Sequence, residues 1–194
     1  MARDAAATQE RIIEAASAEF AAHGIAGARV DEIAARAGVN KRMLYYYFGS
    51  KEQLFREILK RKLAERVASA AGTLTLSRGE RVADRQATHL EDHDYVRLLM
   101  WEALEHGDLA AVEGEDDRRD IYARWVEATI DEQGRGELAR DLDAKQFVLS
   151  EIALTLFPAA FPQITRLICG VDADDPSFVA DRQAFLRALF ERLA

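Results

Sequence analysis

A chain of 194 residues, 49% hydrophobic and 31% charged, suits one compact domain or a small domain joined to a larger one, and excludes a disordered chain. Its single cysteine, Cys169, leaves no internal disulfide framework, and its most apolar stretch, Ile152 to Ile164, is too short for a membrane span and holds Pro158 and Pro162. The net charge of −8 is unevenly spread: residues 1–72 hold 12 basic and 9 acidic side chains, the remainder 14 and 25, and Ile33 to Lys51 carries four basic residues and no acid. Such a local patch is what attraction to phosphate requires, because counterion release follows the charges in contact and not the total. No N-terminal apolar stretch resembles a secretion signal, so a soluble cytoplasmic protein without a membrane partner is expected.

With few Pro and Gly and with Ala, Leu, Glu and Arg dominant, the fold class is expected to be all-α, with eight or nine helices and no sheet. Thr8 to His23 reads as a first helix, with Ile12, Ala16 and Phe20 at i, i+4, i+8 and Gly24 as its stop. Asp31 to Ala37 is a short second helix ended by Gly38. Asn40 caps a third over Lys41–Phe48, and Ser50 caps a long fourth carrying Leu54, Phe55, Ile58, Leu59, Leu63 and Val67. Beyond Gly72 the composition turns acidic. Tyr95–Leu104 is apolar almost all round, Asp117–Gln133 stops at Gly134, Asp143–Phe157 is broken at Pro158 and Pro162, and Asp175 with Pro176 opens a final helix. The predicted organisation is a small N-terminal helical domain over 1–50, a connecting helix over 51–72 and a larger helical domain over 73–194.

Val30 to Phe48 has helix-turn-helix spacing. Ala34 is small enough for close approach of the second helix, Gly38 supplies the turn, Val39 plugs the corner, and Leu44 and Phe48 anchor the second helix inward. The opposite face then presents Lys41, Arg42, Met43, Tyr45 and Tyr46 to a major groove. A helical hairpin with a solvated basic face is the bland alternative; each residue fits it singly, but the combination favours DNA.

Residues 12–54, reading IIEAASAEFAAHGIAGARVDEIAARAGVNKRMLYYYFGSKEQL, resemble the N-terminal domain of TetR-family regulators, most specifically at IAARAGV, LYYYF and SKEQL. The stretch FPAAFPQITRLICGVDADDPSFVADRQAFLRALFERL resembles, more loosely, a regulatory-domain ending found within that family. The resemblance implies an obligate homodimer that represses by binding double-stranded operator DNA and lets go when a small-molecule effector binds, with the fourth helix as a lever. Carried over by position, Tyr45, Tyr46 and Lys51 contact phosphates, and Lys41, Arg42 and Met43 face bases. Where the family often has Ser or Thr opening the second helix, this chain has Ala28 and Arg29, so Arg29 is expected to replace that contact by charge. Asn40 stands where Ser is frequent. Arg42 is the expected guanine reader, since a bidentate pair suits its fork.

Met100, Trp101, Leu104, Tyr122, Trp125, Phe147 and Ile152 are candidates for an effector pocket between helices, each equally explicable as core. Should Glu102, Glu105 or Glu151 face that pocket, a cationic lipophilic ligand is favoured. His89 and His93, four apart, suggest a competing class, a helical metal-binding protein or enzyme; we read them instead as a solvated helix face, because Leu90 stands where a zinc protease needs Glu. His106 reads as a helix-end residue and Cys169, beside Ile168, as packing. No phosphate loop, nucleophile elbow or paired-Cys motif appears, so neither enzyme activity nor a cofactor is expected. The final helix has a broad apolar stripe with little to bury it in one thin chain. Paired with the preceding long helix and their symmetry mates, it predicts a homodimer through about 143–157 and 176–193, and hence a palindromic operator.

Overall fold

The computed structural model describes residues 2–71, 76–105 and 115–193, and every regular element among them is an α-helix. The order is α1 (Ala2–Gly27), α2 (Val30–Ala37), α3 (Lys41–Phe48), α4 (Lys51–Ala71), α5 (Arg78–Glu91), α6 (His93–Glu105), α7 (Glu115–Arg135), α8 (Ala144–Ala160), α9 (Pro162–Cys169) and α10 (Pro176–Glu191). That is one or two more than eight or nine; α5 and α9 are the additions. Gly72, His106 and Gly107 lie outside the described residues.

The chain divides into two compact units, Met1–Glu65 with Arg97–Glu113, and Arg66–Val96 with Gly114–Ala194. The boundary falls within α4 and within α6, whereas the acidic shift in composition lies near residue 72.

In the first unit, α1 is interrupted at Gly24, whose φ of 68° and ψ of 179° leave the helix. Ile12, Ala16 and Phe20 are buried along its inner face, and the Phe20 ring meets Phe55 of α4 edge-on at 5.4 Å. Leu54, Ile58 and Leu59 are buried with them. The backbone groups orphaned at the interruption are satisfied by α6. Glu105 accepts from the Ile25 and Ala26 N–H groups at 2.9 and 3.2 Å, and the Arg97 guanidinium and Trp101 indole donate to the Ala21 carbonyl at 2.6 and 3.2 Å. A buried helix end needs such partners.

In the second unit, α5 is central and packs on α10 and α8. Ser77 and Glu80 start it with a reciprocal capping box. Its core cluster joins Val82 and Ala83 to Leu138, Phe147, Leu186 and Phe190. The final helix therefore buries Phe178, Leu186 and Phe190 within its own chain, contrary to the expectation that a single chain offers it little. α7 passes through Gly134 and ends at Arg135, where Gly136 takes the left-handed conformation. α8 likewise continues through Pro158. A proline in a helix strips the carbonyl four residues back of its donor; here Arg182 of α10 donates to that carbonyl, Leu154 O, at 2.9 Å. The chain breaks instead at Phe161, where α8 and α9 meet at 88°. No single helix among the described residues is long and apolar enough to cross a membrane.

The Gly24 break sets a stability test. A methyl group there would stand 2.7 Å from Trp101 Cε3 on a backbone disfavoured for L residues. Gly24→Ala is expected to cost about 2 kcal/mol or more in urea unfolding; an unchanged midpoint would show that the break is not constrained.

Candidate nucleic-acid interface and cavity

α2 and α3 are held by the turn between them. Gly38 adopts φ 66°, ψ 36°, and two crossed bonds close α2: Val39 N–H to Ala34 O at 3.0 Å, and Gly38 N–H to Ala35 O at 3.2 Å. Asn40 then caps α3, its side-chain oxygen accepting from the Met43 N–H at 2.9 Å. Leu44 is wholly buried and pins α3, so the far side carries Lys41, Arg42, Tyr45 and Tyr46 into solvent. Tyr46 is 81% exposed, an unusual position for a large aromatic with nothing to cover it. Met43 and Tyr47 are half-buried.

The cations differ in what they already hold. Lys41 pairs with Asp31 of α2 at 3.1 Å. Arg29 pairs with Glu32 at 3.5 Å, both well exposed, which stabilises little. Lys51 donates to the carbonyls of Ala26 and Ala28 at 3.4 and 3.3 Å, so it also fastens the end of α1. Among the described residues Arg42 and Tyr46 have no hydrogen-bonding partner, which leaves both available to DNA. Sequence reasoning missed Glu19, which is buried and takes the Arg29 N–H at 3.1 Å, giving α2 its start without a side-chain cap from residue 29. Nothing in the local pattern marked that role.

The seven pocket candidates are not brought together. Trp101 lies in the first unit against Gly24, Leu104 is 72% exposed, Tyr122 is exposed, and Phe147 belongs to the α5–α10 core. Met100 and Ile152 are half-buried. Trp125 alone of the seven lines a cavity of about 560 Å3 in the second unit. Beneath it runs a network absent from the sequence reading: Arg78 donates to Glu132, to Glu151 at 2.9 Å and to Thr129 at 2.8 Å, while Arg81 donates to the second oxygen of Glu132. Arg85 stands 3.2 Å from Glu151 and 4.4 Å over the Trp125 ring. Glu151 does line the cavity, but it is already matched by arginines, and Glu105 is engaged with α1. The surplus of acid that would favour a cationic ligand is not formed by these two. Glu102 is buried.

His89 and His93 do not share a helix face. α5 ends at Glu91 and His93 begins α6; His89 is buried, stacked at 6.2 Å on Tyr95, and is not solvated as expected. No group of three or more His, Cys, Asp or Glu suited to a metal occurs among the described residues. Cys169 and Ile168 are both exposed, which corrects the packing reading of that cysteine. Gln86, wholly buried, hydrogen-bonds through neither end of its amide, and His89 Nδ1 also lacks a partner.

Two family descriptions match the chain. Residues 12–58 match "Bacterial regulatory proteins, tetR family", and residues 80–192 match "Tetracyclin repressor-like, C-terminal domain". The HTH-type transcriptional repressor SCO4008 of Streptomyces coelicolor is 40% identical over 171 residues, 87% of each chain. A solved transcriptional regulator of the same organism, SCO4942, superposes with a TM-score of 0.76 at 28% identity, covering 95% of this chain and 97% of its own. FadR of Bacillus subtilis, at 16% identity, shares the fold with a TM-score of 0.69 over 92% of this chain and 97% of its own.

Burial and the Arg66 and Arg85 cations hold the His89 pKa down to about 4, against the pull of the Thr155 carbonyl and Asp92. The folded state therefore keeps His89 neutral while the unfolded chain takes up a proton near pH 6.5. Stability from this group is complete above pH 6.5 and falls by up to about 3 kcal/mol as pH drops to about 4. Urea midpoints across that range are expected to decline less in His89→Gln than in the native protein; parallel curves would contradict it.

Proposed function

The chain belongs to the TetR family of bacterial regulatory proteins, and on that premise we propose that it is a repressor, a homodimer that reads a palindromic operator with α3 and releases it when a small molecule occupies the second unit. The observation that carries the reading is the exposed face of α3, where Arg42 and Tyr46 stand without hydrogen-bonding partners on a helix pinned by Leu44. Repression rather than activation is supported by the name of the SCO4008 relative. A regulator of this kind acts on DNA in the cytoplasm.

In this account Arg42 reads base edges, with Lys41 and Met43 beside it at the N-terminal end of α3. Tyr45, Tyr46, Lys51, Arg29 and Asn40 contact phosphates and set the register. Residues 1–50 form the reading head, 51–72 the connecting helix, and 73–194 the regulatory and dimerising part. Support for ligand sensing comes from the second unit, where buried polar groups without hydrogen-bond partners gather on α5: both ends of the Gln86 amide and His89 Nδ1. Leaving each unpaired costs about 1–3 kcal/mol, a cost a fitting ligand or water would offset.

Dimerisation through α8 and α10 is supported by the apolar side chains they leave uncovered, Leu149, Phe157 and Phe185. Two chains give two reading heads, and half-sites about one helical turn apart, ~34 Å or somewhat more.

Two measurements test this. Arg42→Ala is expected to weaken binding to the DNA upstream of the protein's own gene by about 1–3 kcal/mol, roughly 5- to 150-fold in anisotropy titrations, and to relax the preference at one base pair. Retained affinity and preference would remove Arg42 from the site. Phe185→Glu is expected to shift the sedimenting species from dimer to monomer without loss of helix content; a persistent dimer would place the interface elsewhere.

A further inference from the structure

We propose that the cavity among α5, α7, α8 and α10 takes an aromatic monocarboxylate, a single negative charge on a flat apolar body. The inference names the effector class of the second unit and so rests, for its meaning, on the regulator reading above. A volume of about 560 Å3 is within the ordinary range for small-molecule sites, roughly 300–1,000 Å3.

Charge decides the class. On the cavity floor three cations, Arg78, Arg81 and Arg85, face two carboxylates, Glu132 and Glu151. One positive charge is left over in a place where an unmatched charge is costly. Asp131, Glu137 and Glu191 stand at the exposed mouth, where water and salt screen them, and Glu137 is held by Arg135 at 2.8 Å. A cation would raise the floor surplus to two and a dianion would reverse it. A monoanion closes it.

The surplus is located at Arg85. Arg78 gives both of its Nη groups to Glu132, Glu151 and Thr129, leaving only its Nε without a hydrogen bond, and these carboxylates hold its pKa above the ordinary arginine value despite burial. Arg81 divides its donors between Glu132 and the Leu76 carbonyl. Arg85 shares Glu151 with Arg78, its Nη1 standing 3.2 Å from that carboxylate outside hydrogen-bond geometry, and burial carries its pKa below the ordinary value. A planar guanidinium with unused donors is matched best by the two coplanar oxygens of a carboxylate. The ring of Trp125 already holds Arg85 flat, which sets the plane the carboxylate must share. Leu76, Leu138, Phe190 and Trp125 supply apolar wall for the flat body.

The test uses full-length protein and three isosteric probes in isothermal titration: 1-naphthoate, 1-naphthamide and 1-naphthylmethylammonium. Naphthoate is expected to bind once per chain, at least about tenfold tighter than either of the others. Arg85→Met is expected to erase that preference, and Arg85→Lys, which keeps the charge and loses the fork, to recover part of it. Equal affinity for the amide or the ammonium, no binding of naphthoate, or an unchanged preference in Arg85→Met would each overturn the proposal. The wild-type ranking stands even if the variants fold poorly. Operator binding without ligand, measured separately, decides the regulator reading. Carboxylate binding by a chain that ignores DNA would keep this inference and sink the other.

Discussion

The reading head depends on how the interruption of α1 is repaired. Leaving the helix at Gly24 strips the Ala21 carbonyl and the Ile25 and Ala26 N–H groups of helical partners, and an unmatched buried group is more expensive than any single hydrogen bond is stabilising. Four side chains meet the interruption and the turn that follows: Arg97, Trp101 and Glu105, spaced i, i+4, i+8 on α6, and Lys51 at the start of α4. Once they are in place, the path from α1 into α2 has little freedom, and the Gly38 turn and buried Leu44 carry that restriction on to α3. In the proposed reading α3 meets base edges, and a shift of one ångström would misplace Arg42. The two helices that make the repair, α4 and α6, are also the two in which the boundary between the compact units falls.

The second unit is organised around a different constraint. α5 lies against α10 and α8 and yet carries Arg78, Arg81, Arg85, Gln86 and His89 along with its apolar residues. The arginines are tolerated because Glu132 of α7 and Glu151 of α8 reach them, tying three helices by charge where a simpler core would use leucine. Such networks contribute more to specifying which helices meet than to net stability. The pairing is incomplete at Arg85, and incomplete pairing beside a cavity is the feature that gives the unit a chemical preference.

What the sequence made legible follows from the range of the interactions. The helix-turn-helix rests on residues within 20 positions of one another, so Gly38, Asn40 and Leu44 could be placed with their roles, and the start of the last helix at Asp175 and Pro176 was visible for the same reason. α5 was obscured because its buried face includes Gln86 and His89, polar residues that break the apolar stripe. The passage of α8 through Pro158 depends on Arg182, 28 residues downstream, and no local rule could supply it. Trp101 and Trp125 look alike in sequence, but one closes on Gly24 and the other on Arg85. The charge balance of the cavity was hidden most completely, since Glu151 is legible as an acid and its arginines lie 66 and 73 residues away.

In the proposed repressor, two copies of α3 are presented to two half-sites of one operator. Hydroxyl-radical footprinting on a fragment selected by this protein from the DNA of its own genome tests it most directly. Protection is expected in two patches on one face of the duplex, related by a two-fold axis and separated by about one helical turn, ~34 Å, or somewhat more. A single patch, or uniform protection indifferent to sequence, would contradict it.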